Sequence, residues 1–248
     1  MSAKYSHVAV GAHGKVGVIT LNRPEKRNAI TAALATEVAC GVREHVDAGR
    51  RVILLRGEGP AFSAGADLSG GVYSPDFFGA LQSMLQAVLD APVPVIADIH
   101  GPAVGAGCQL ALACDLRVFG PKGAVWVPAA AHGFALDTWT HLRLKDLLGG
   151  AWARNIMVGG AKVGAEQAAA VGFASFVGDG TTDSLAYAQT IAEQAPLSME
   201  HSKRVLNSPN PASDPVLDEL MSQAWASADA AEARAARLQG RAPAFTGK

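Results

Sequence analysis

Two segments of the 248-residue chain combine small side chains with positions from which backbone can reach a ligand. They are Ala61-Phe62-Ser63-Ala64-Gly65-Ala66-Asp67-Leu68 and His100-Gly101-Pro102-Ala103-Val104-Gly105-Ala106-Gly107-Cys108-Gln109. Each follows a run that reads as a strand, and the second feeds directly into a helical pattern. Small residues let a ligand approach the main chain, and the first turn of a helix presents N–H groups without intrahelical acceptors. Two such N–H groups aimed at one point form an oxyanion hole for a thioester oxygen, an arrangement worth several kcal/mol in acyl chemistry.

Other readings of these residues stay open at this level. Taken singly, each segment also reads as a tight turn. Gly105-Ala106-Gly107 opens like a dinucleotide fingerprint, but the third glycine would fall at position 110, which is Leu110, and no GxxxxGK[ST] phosphate loop occurs. Asp67 reads as a turn or helix-start acceptor for backbone N–H groups. Asp137 stands just ahead of the apolar run Trp139 to Leu148, the place of a helix N-cap. His132, beside Gly133, is either an acid/base group or a surface or packing residue.

The elements that must position these groups are legible from periodicity. Val16 to Leu21 reads as a strand ending at the turn Asn22-Arg23-Pro24. Thr31 caps a helix to about Ala48, with Leu34, Val38 and Val42 on one face. Arg51 to Arg56 has a continuous apolar centre, as in a strand buried on both faces. A second cycle follows: a helix over Asp76 to Asp90, a strand over Pro94 to Ile99, a Gly-rich turn and helix over Gly105 to Ala113, and a strand over Leu116 to Phe119. From about Gly180 the pattern is helical only, over 183–194, 198–206 and 214–239. We therefore expect an α/β core over 1–180 and a helical C-terminal region over 181–248.

Composition narrows the function classes. The 21 basic and 22 acidic residues nearly cancel, and no Lys/Arg-rich run occurs, which argues against nucleic-acid binding. No apolar run approaches the ~18–20 residues of a membrane span. Cys40, Cys108 and Cys114 form no CxxC pair, so we expect free thiols and no metal site. The N-terminus lacks the apolar segment of a signal peptide, and the expected location is the cytoplasm.

The chain resembles the crotonase (enoyl-CoA hydratase/isomerase) superfamily. The resemblance is carried by Leu21-Asn22-Arg23-Pro24 with Arg27-Asn28-Ala29, then Phe62 to Leu68, then His100 to Gly107, then Cys114-Asp115-Leu116-Arg117, in that order. The tail Gly240 to Phe245 looks like the family's C-terminal end. This resemblance implies a crotonase-like spiral of ββα units with a helical C-terminal trimerisation region, and a homotrimer or hexamer. It implies acyl-CoA thioesters as substrate or ligand, with no further cofactor. By position, the oxyanion-hole N–H groups fall on Ala66 and Ala106, where the second is usually glycine. Arg23, Arg27 and Ala29 would line the coenzyme A moiety, with Ala64, Asp67, Leu68 and Gly105 beside the thioester, and Trp126 and Trp139 are candidates for an acyl tunnel or for plain core.

At two positions the chain departs from that family. Hydratases resembling it carry two glutamates that handle water and protons at the double bond; here the first position holds Gln109 and the second, after Pro128, holds Ala129. Each lost general acid or base typically costs ~10²–10⁴ in rate. The expectation is an acyl-CoA-binding protein with weak or no hydratase activity, serving as carrier, sensor or scaffold with a protein partner. Asp137 aligns with a catalytic aspartate of some relatives, which gives the alternative of an enoyl-CoA isomerase, or less readily an aryl-CoA dehalogenase or hydrolase. A slow hydratase holding its water on Gln109 is the remaining reading.

Overall fold

Val52, Ile53, Leu54 and Leu55 are all fully buried, as a strand with cover on both faces requires. They belong to β3 (Val52–Gly57) in a six-stranded sheet with β1 (Val8–His13), β2 (Val16–Leu21), β4 (Val95–Ile99), β6 (Leu116–Phe119) and β9 (Phe176–Val177), in the order β1-β2-β3-β4-β6-β9. β1 pairs antiparallel with β2, and the remaining pairings are parallel. Ile19, Leu55, Ala97 and Arg117 stand in register across the sheet. The computed structural model describes residues 5–69, 72, 74–178 and 181–248.

A second sheet of three short strands, β5 (Pro102–Val104), β7 (Ala124–Trp126) and β8 (Val163–Gly164), takes one strand from each later turn of the chain. Ser63 joins it through a parallel bridge to Ala103. Each turn therefore runs from the large sheet to the small one and returns through a helix. The helices that lead back to the large sheet in this way are α1 (Ala32–Asp47), α2 (Phe77–Asp90) and α3 (Ala106–Ala113), whereas α4 (Thr138–Met157) joins β7 to β8 within the small sheet. The expected spiral of ββα units is this arrangement.

The faces of β3 divide the core. Ile53 and Leu55 pack with residues of α1, α2 and α3, while Val52 and Leu54 pack with Ala188 and Ala192 of α6 (Thr181–Ala192). The first helix of the C-terminal region thus covers the second face of the sheet. Beyond it come α7 (Pro196–Asn207), α8 (Pro215–Ala226) and α9 (Ala228–Gln239), and α5 (Ala165–Ala170) lies earlier, between β8 and β9. The single helix expected over 214–239 is two. Ser227 leaves helical geometry, accepts from the Ala230 N–H to cap α9, and donates its hydroxyl to the Ala224 carbonyl.

Candidate functional site

The loop after β2 is pinned by a buried asparagine. Asn28 donates its amide to the Glu58 and Ala61 carbonyls and accepts from the Arg23 N–H. Arg27 and Asn28 adopt left-handed backbone, φ 49° and 56°. The loop so held forms one rail for residues 63–67: Ala64 N–H donates to Arg27 O, Ile30 N–H to Gly65 O, and Asp67 N–H to Ile30 O. In that parallel bridge the Ala66 N–H points away from Ile30.

The other rail is the start of α3. Ser63 N–H donates to Pro102 O, and Val104 N–H to Ser63 O. Gly65 has φ 97°, and a Cβ there would lie 2.8 Å from Val104 O and 3.7 Å from Ala106 N. A Cβ on Gly107 would lie 2.7 Å from Ser63. Glycine at both positions lets the two segments close together, with Ala66 following Gly65 on one and Ala106, the first residue of α3, on the other. Among the described residues, neither the Ala66 nor the Ala106 N–H has an acceptor.

A cavity of about 500 Å³ lies between α2 and the start of α4, lined by Phe78, Leu81, Leu85 and Leu89 together with Gln109, Asp137 and Trp139. Asp137 is the N-cap of α4, accepting from Thr140 N–H at 2.9 Å, as its place before an apolar run implied. Its other oxygen accepts from Gln109 Nε2 at 2.9 Å and from the Thr140 hydroxyl at 3.0 Å. Gln109 also donates to Thr140 Oγ1, at 2.7 Å. Both N–H groups of the Gln109 amide are thus engaged, and Ala129, buried at the second position, brings no polar side chain.

The remaining candidates separate. Arg23 is half-buried, and its guanidinium donates to Ala29 O and pairs with Asp67 at 3.1 Å. Asp67 is the turn acceptor expected of it. The Ser69 hydroxyl, foremost, then the Ser69 and Arg23 N–H groups, hold its carboxyl below the usual range against the opposing effect of burial. Arg27, Ala64 and Leu68 are exposed along this edge, and Gly105 is half-buried as the N-cap of α3. His132 does not join the cavity lining; it is exposed and stacked on Phe134, ring centroids 6.0 Å apart. Trp139 lines the cavity, whereas the Trp126 ring carries Lys162 Nζ at 4.5 Å from its centroid. Sequence reasoning misses Thr140 and the α2 wall. A threonine three residues after Asp137 signals only a cap, and its bond to Gln109 spans 31 residues.

Burial pushes the Cys108 and Cys114 thiols up to about 12, so neither is a nucleophile. Among the described residues, no cluster of three or more His, Cys, Asp or Glu side chains is placed to hold a metal ion. Nor is any helix long and apolar enough to cross a membrane.

Residues 11–240 match the family model described as enoyl-CoA hydratase/isomerase. The chain is 42% identical over 231 residues to a Mycobacterium tuberculosis protein named probable enoyl-CoA hydratase echA6, covering 92% of this chain and 95% of that one. Among solved structures, an enoyl-CoA hydratase/carnithine racemase from Magnetospirillum magneticum superposes with a TM-score of 0.89 at 29% identity, covering 99% and 97% of the two chains. An enoyl-CoA hydratase from Mycobacterium tuberculosis H37Rv gives 0.85 at 27% identity, covering 98% and 99%.

Proposed function

We propose, from the premise that this chain belongs to the enoyl-CoA hydratase/isomerase family within the crotonase superfamily, that it binds acyl-CoA thioesters and hydrates them weakly or not at all. The thioester oxygen would take the Ala66 and Ala106 N–H groups, with the acyl chain along the α2 wall and coenzyme A along Arg23 to Ala29. The observation that carries this reading is the pairing of two unengaged N–H groups with the lack of a carboxylate at positions 109 and 129. An amide can hold a water by hydrogen bonds but cannot take its proton as a carboxylate does.

Native mass spectrometry after incubation with 2-enoyl-CoA thioesters tests this. Bound thioester of unchanged mass is expected, and rapid gain of one water overturns the reading. A second reading rests on Asp137, whose carboxylate lines the same cavity: removal of an allylic proton by Asp137, next to an enolate held by Ala66 and Ala106, would make the protein an enoyl-CoA isomerase. Loss of double-bond migration in Asp137→Asn would select it.

Self-association as a trimer or hexamer belongs to the same proposal. Leu206, Trp225 and Leu238 of the C-terminal helices are 77%, 78% and 83% exposed, large apolar side chains that association of copies through this region would cover. The same spectra report the oligomer. Three free cysteines fit a reducing compartment, the cytoplasm.

A further inference from the structure

One wall of the cavity hangs between two glycines. α4 is interrupted at Gly149, whose φ of 82° and ψ of 158° lie in a region that only glycine adopts readily. Gly133, just ahead of the wall, has φ 74° and ψ 24°. A Cβ on either would meet nothing within 4 Å, so nothing packs against either backbone on that side. The segment between them, 134–148, carries Asp137, Thr138 and Trp139, which line the cavity opposite α2. Of its residues only Thr140, Leu144 and Leu148 are buried.

Two sets of side-chain bonds fasten this segment. At its tip the Gln109 amide donates to Asp137 Oδ2 at 2.9 Å and to Thr140 Oγ1 at 2.7 Å. Further along, Arg143 Nε donates to Leu112 O, a last-turn carbonyl of α3, at 3.1 Å, and Arg143 Nη2 donates to Asn207 Oδ1 of α7 at 3.0 Å. Hinges are a few terminal residues that absorb a change in backbone angles, and a segment with little buried surface opens at small cost. We infer that 134–148 is a flap that swings about Gly133 and Gly149 to admit and release the acyl chain, with Arg143 as one of its two latches. The inference rests on the acyl-CoA reading above. Arg143 does not line the cavity, so it restrains the flap without touching what the cavity holds. Gln109 and Asp137 border both flap and ligand, and substituting them mixes the two effects.

Hydrogen exchange read by mass spectrometry, together with stopped-flow release of octanoyl-CoA, tests the inference. In the free protein the amides of 142–148 are expected to exchange faster than those of the wholly buried α3, and octanoyl-CoA should slow them. Arg143→Lys keeps the charge and one donor but cannot make both bonds. It should raise exchange in 142–148 about tenfold while leaving α1 and α3 unmoved. A merely structural role would raise exchange in α1 and α3 as well, and that pattern overturns the inference. Release of octanoyl-CoA, followed by tryptophan fluorescence with Trp139 in the cavity, should quicken by a similar factor. Association should quicken with it, so that affinity changes less than either rate. Should the lysine variant fail to fold, Asn207→Ala removes one Arg143 bond from the α7 side and should act in the same direction. Protection of 142–148 equal to that of α3, or exchange there unmoved in a folded variant, overturns this inference alone. So does a release rate that stays fixed while exchange rises. Failure of octanoyl-CoA to bind at all overturns the acyl-CoA reading and the gating role with it.

Discussion

Gln109 Nε2 lies 2.9 Å from Asp137 Oδ2, so the amide at position 109 is already bonded to the nearest carboxylate of the site. A glutamate at 109 would meet that carboxylate oxygen to oxygen. Two carboxylates so placed cannot both ionise freely, and they share a proton as a coupled pair. Gln109→Glu alone is therefore expected to make acyl-CoA binding pH-dependent, weakening as the shared proton leaves. The double variant Gln109→Glu/Asp137→Asn should lose that dependence. Calorimetry between about pH 5 and 9 reads the difference, since the ordinary carboxylate range lies below it. Identical profiles for the single and double variants would mean the two side chains part when position 109 is charged.

Gly65 controls the spacing of the two N–H groups. Its φ of 97°, and the mere 2.8 Å that would separate a Cβ there from Val104 O, leave no room for a side chain. Gly65→Ala is expected to cost about 1–3 kcal/mol in stability from backbone strain, and to weaken thioester binding by about tenfold as Ala66 and Ala106 part. Thermal unfolding and titration with octanoyl-CoA check the two effects separately. Unchanged binding in a destabilised variant would dissociate this pair from the ligand.

The periodic elements are legible in the sequence because burial follows its pattern directly. β6 runs over Leu116–Phe119 as expected, and α1 and α2 begin within a residue of the expected starts. The edge strand β1 escapes such a reading because Gly11, Ala12 and His13 are exposed and break its alternation. β5 and β7 are three residues each, too short for any period. In the site, Asp137 announces its cap, since a cap is local. The Gln109 and Thr140 contact is not local, and no pattern within either segment encodes it. Leu81 and Leu85 do form the expected apolar stripe of α2, but periodicity gives the apolar face of a helix and not whether a cavity lies against it.

His45 supplies a pH test of the core. Its ring occupies the space left by Gly17, where a Cβ would lie 2.4 Å from the ring. Burial lowers its pKa below the ordinary 6.5, against the weaker effect of its hydrogen bond to Val18 O. Above about pH 6.5 the ring is neutral in both states and costs nothing. Below that, the unfolded chain takes the proton first, so stability falls, by up to about 1.4 kcal/mol per pH unit, until the folded ring is protonated too. Urea unfolding at about pH 7 and pH 5 should show a smaller loss in His45→Phe than in the wild type. Equal losses would assign the slope to other groups.

Lys203 ties the C-terminal region to the wall of the cavity. Its Nζ donates to Val88 O at 2.8 Å and Val93 O at 3.0 Å, and pairs with Asp115 at 2.8 Å. Val88 O is among the last carbonyls of α2, which have no partner within the helix. Asp115 in turn accepts from Val95 N–H at 2.7 Å, at the start of β4. Lys203→Met keeps much of the volume but leaves a largely buried carboxylate and two carbonyls unpaired, a loss of about 3–5 kcal/mol. In a chain of this size that lowers Tm on the order of 10 °C. Adding Asp115→Asn removes the stranded charge while still accepting from Val95, so the double variant should unfold at a higher temperature than Lys203→Met alone. Because α2 carries Phe78, Leu81, Leu85 and Leu89 into the cavity, the single variant should also lose affinity for octanoyl-CoA below its Tm. A full loss of stability with affinity intact would mean that the end of α2 can fray without moving the wall, and that α7 serves the fold rather than the site.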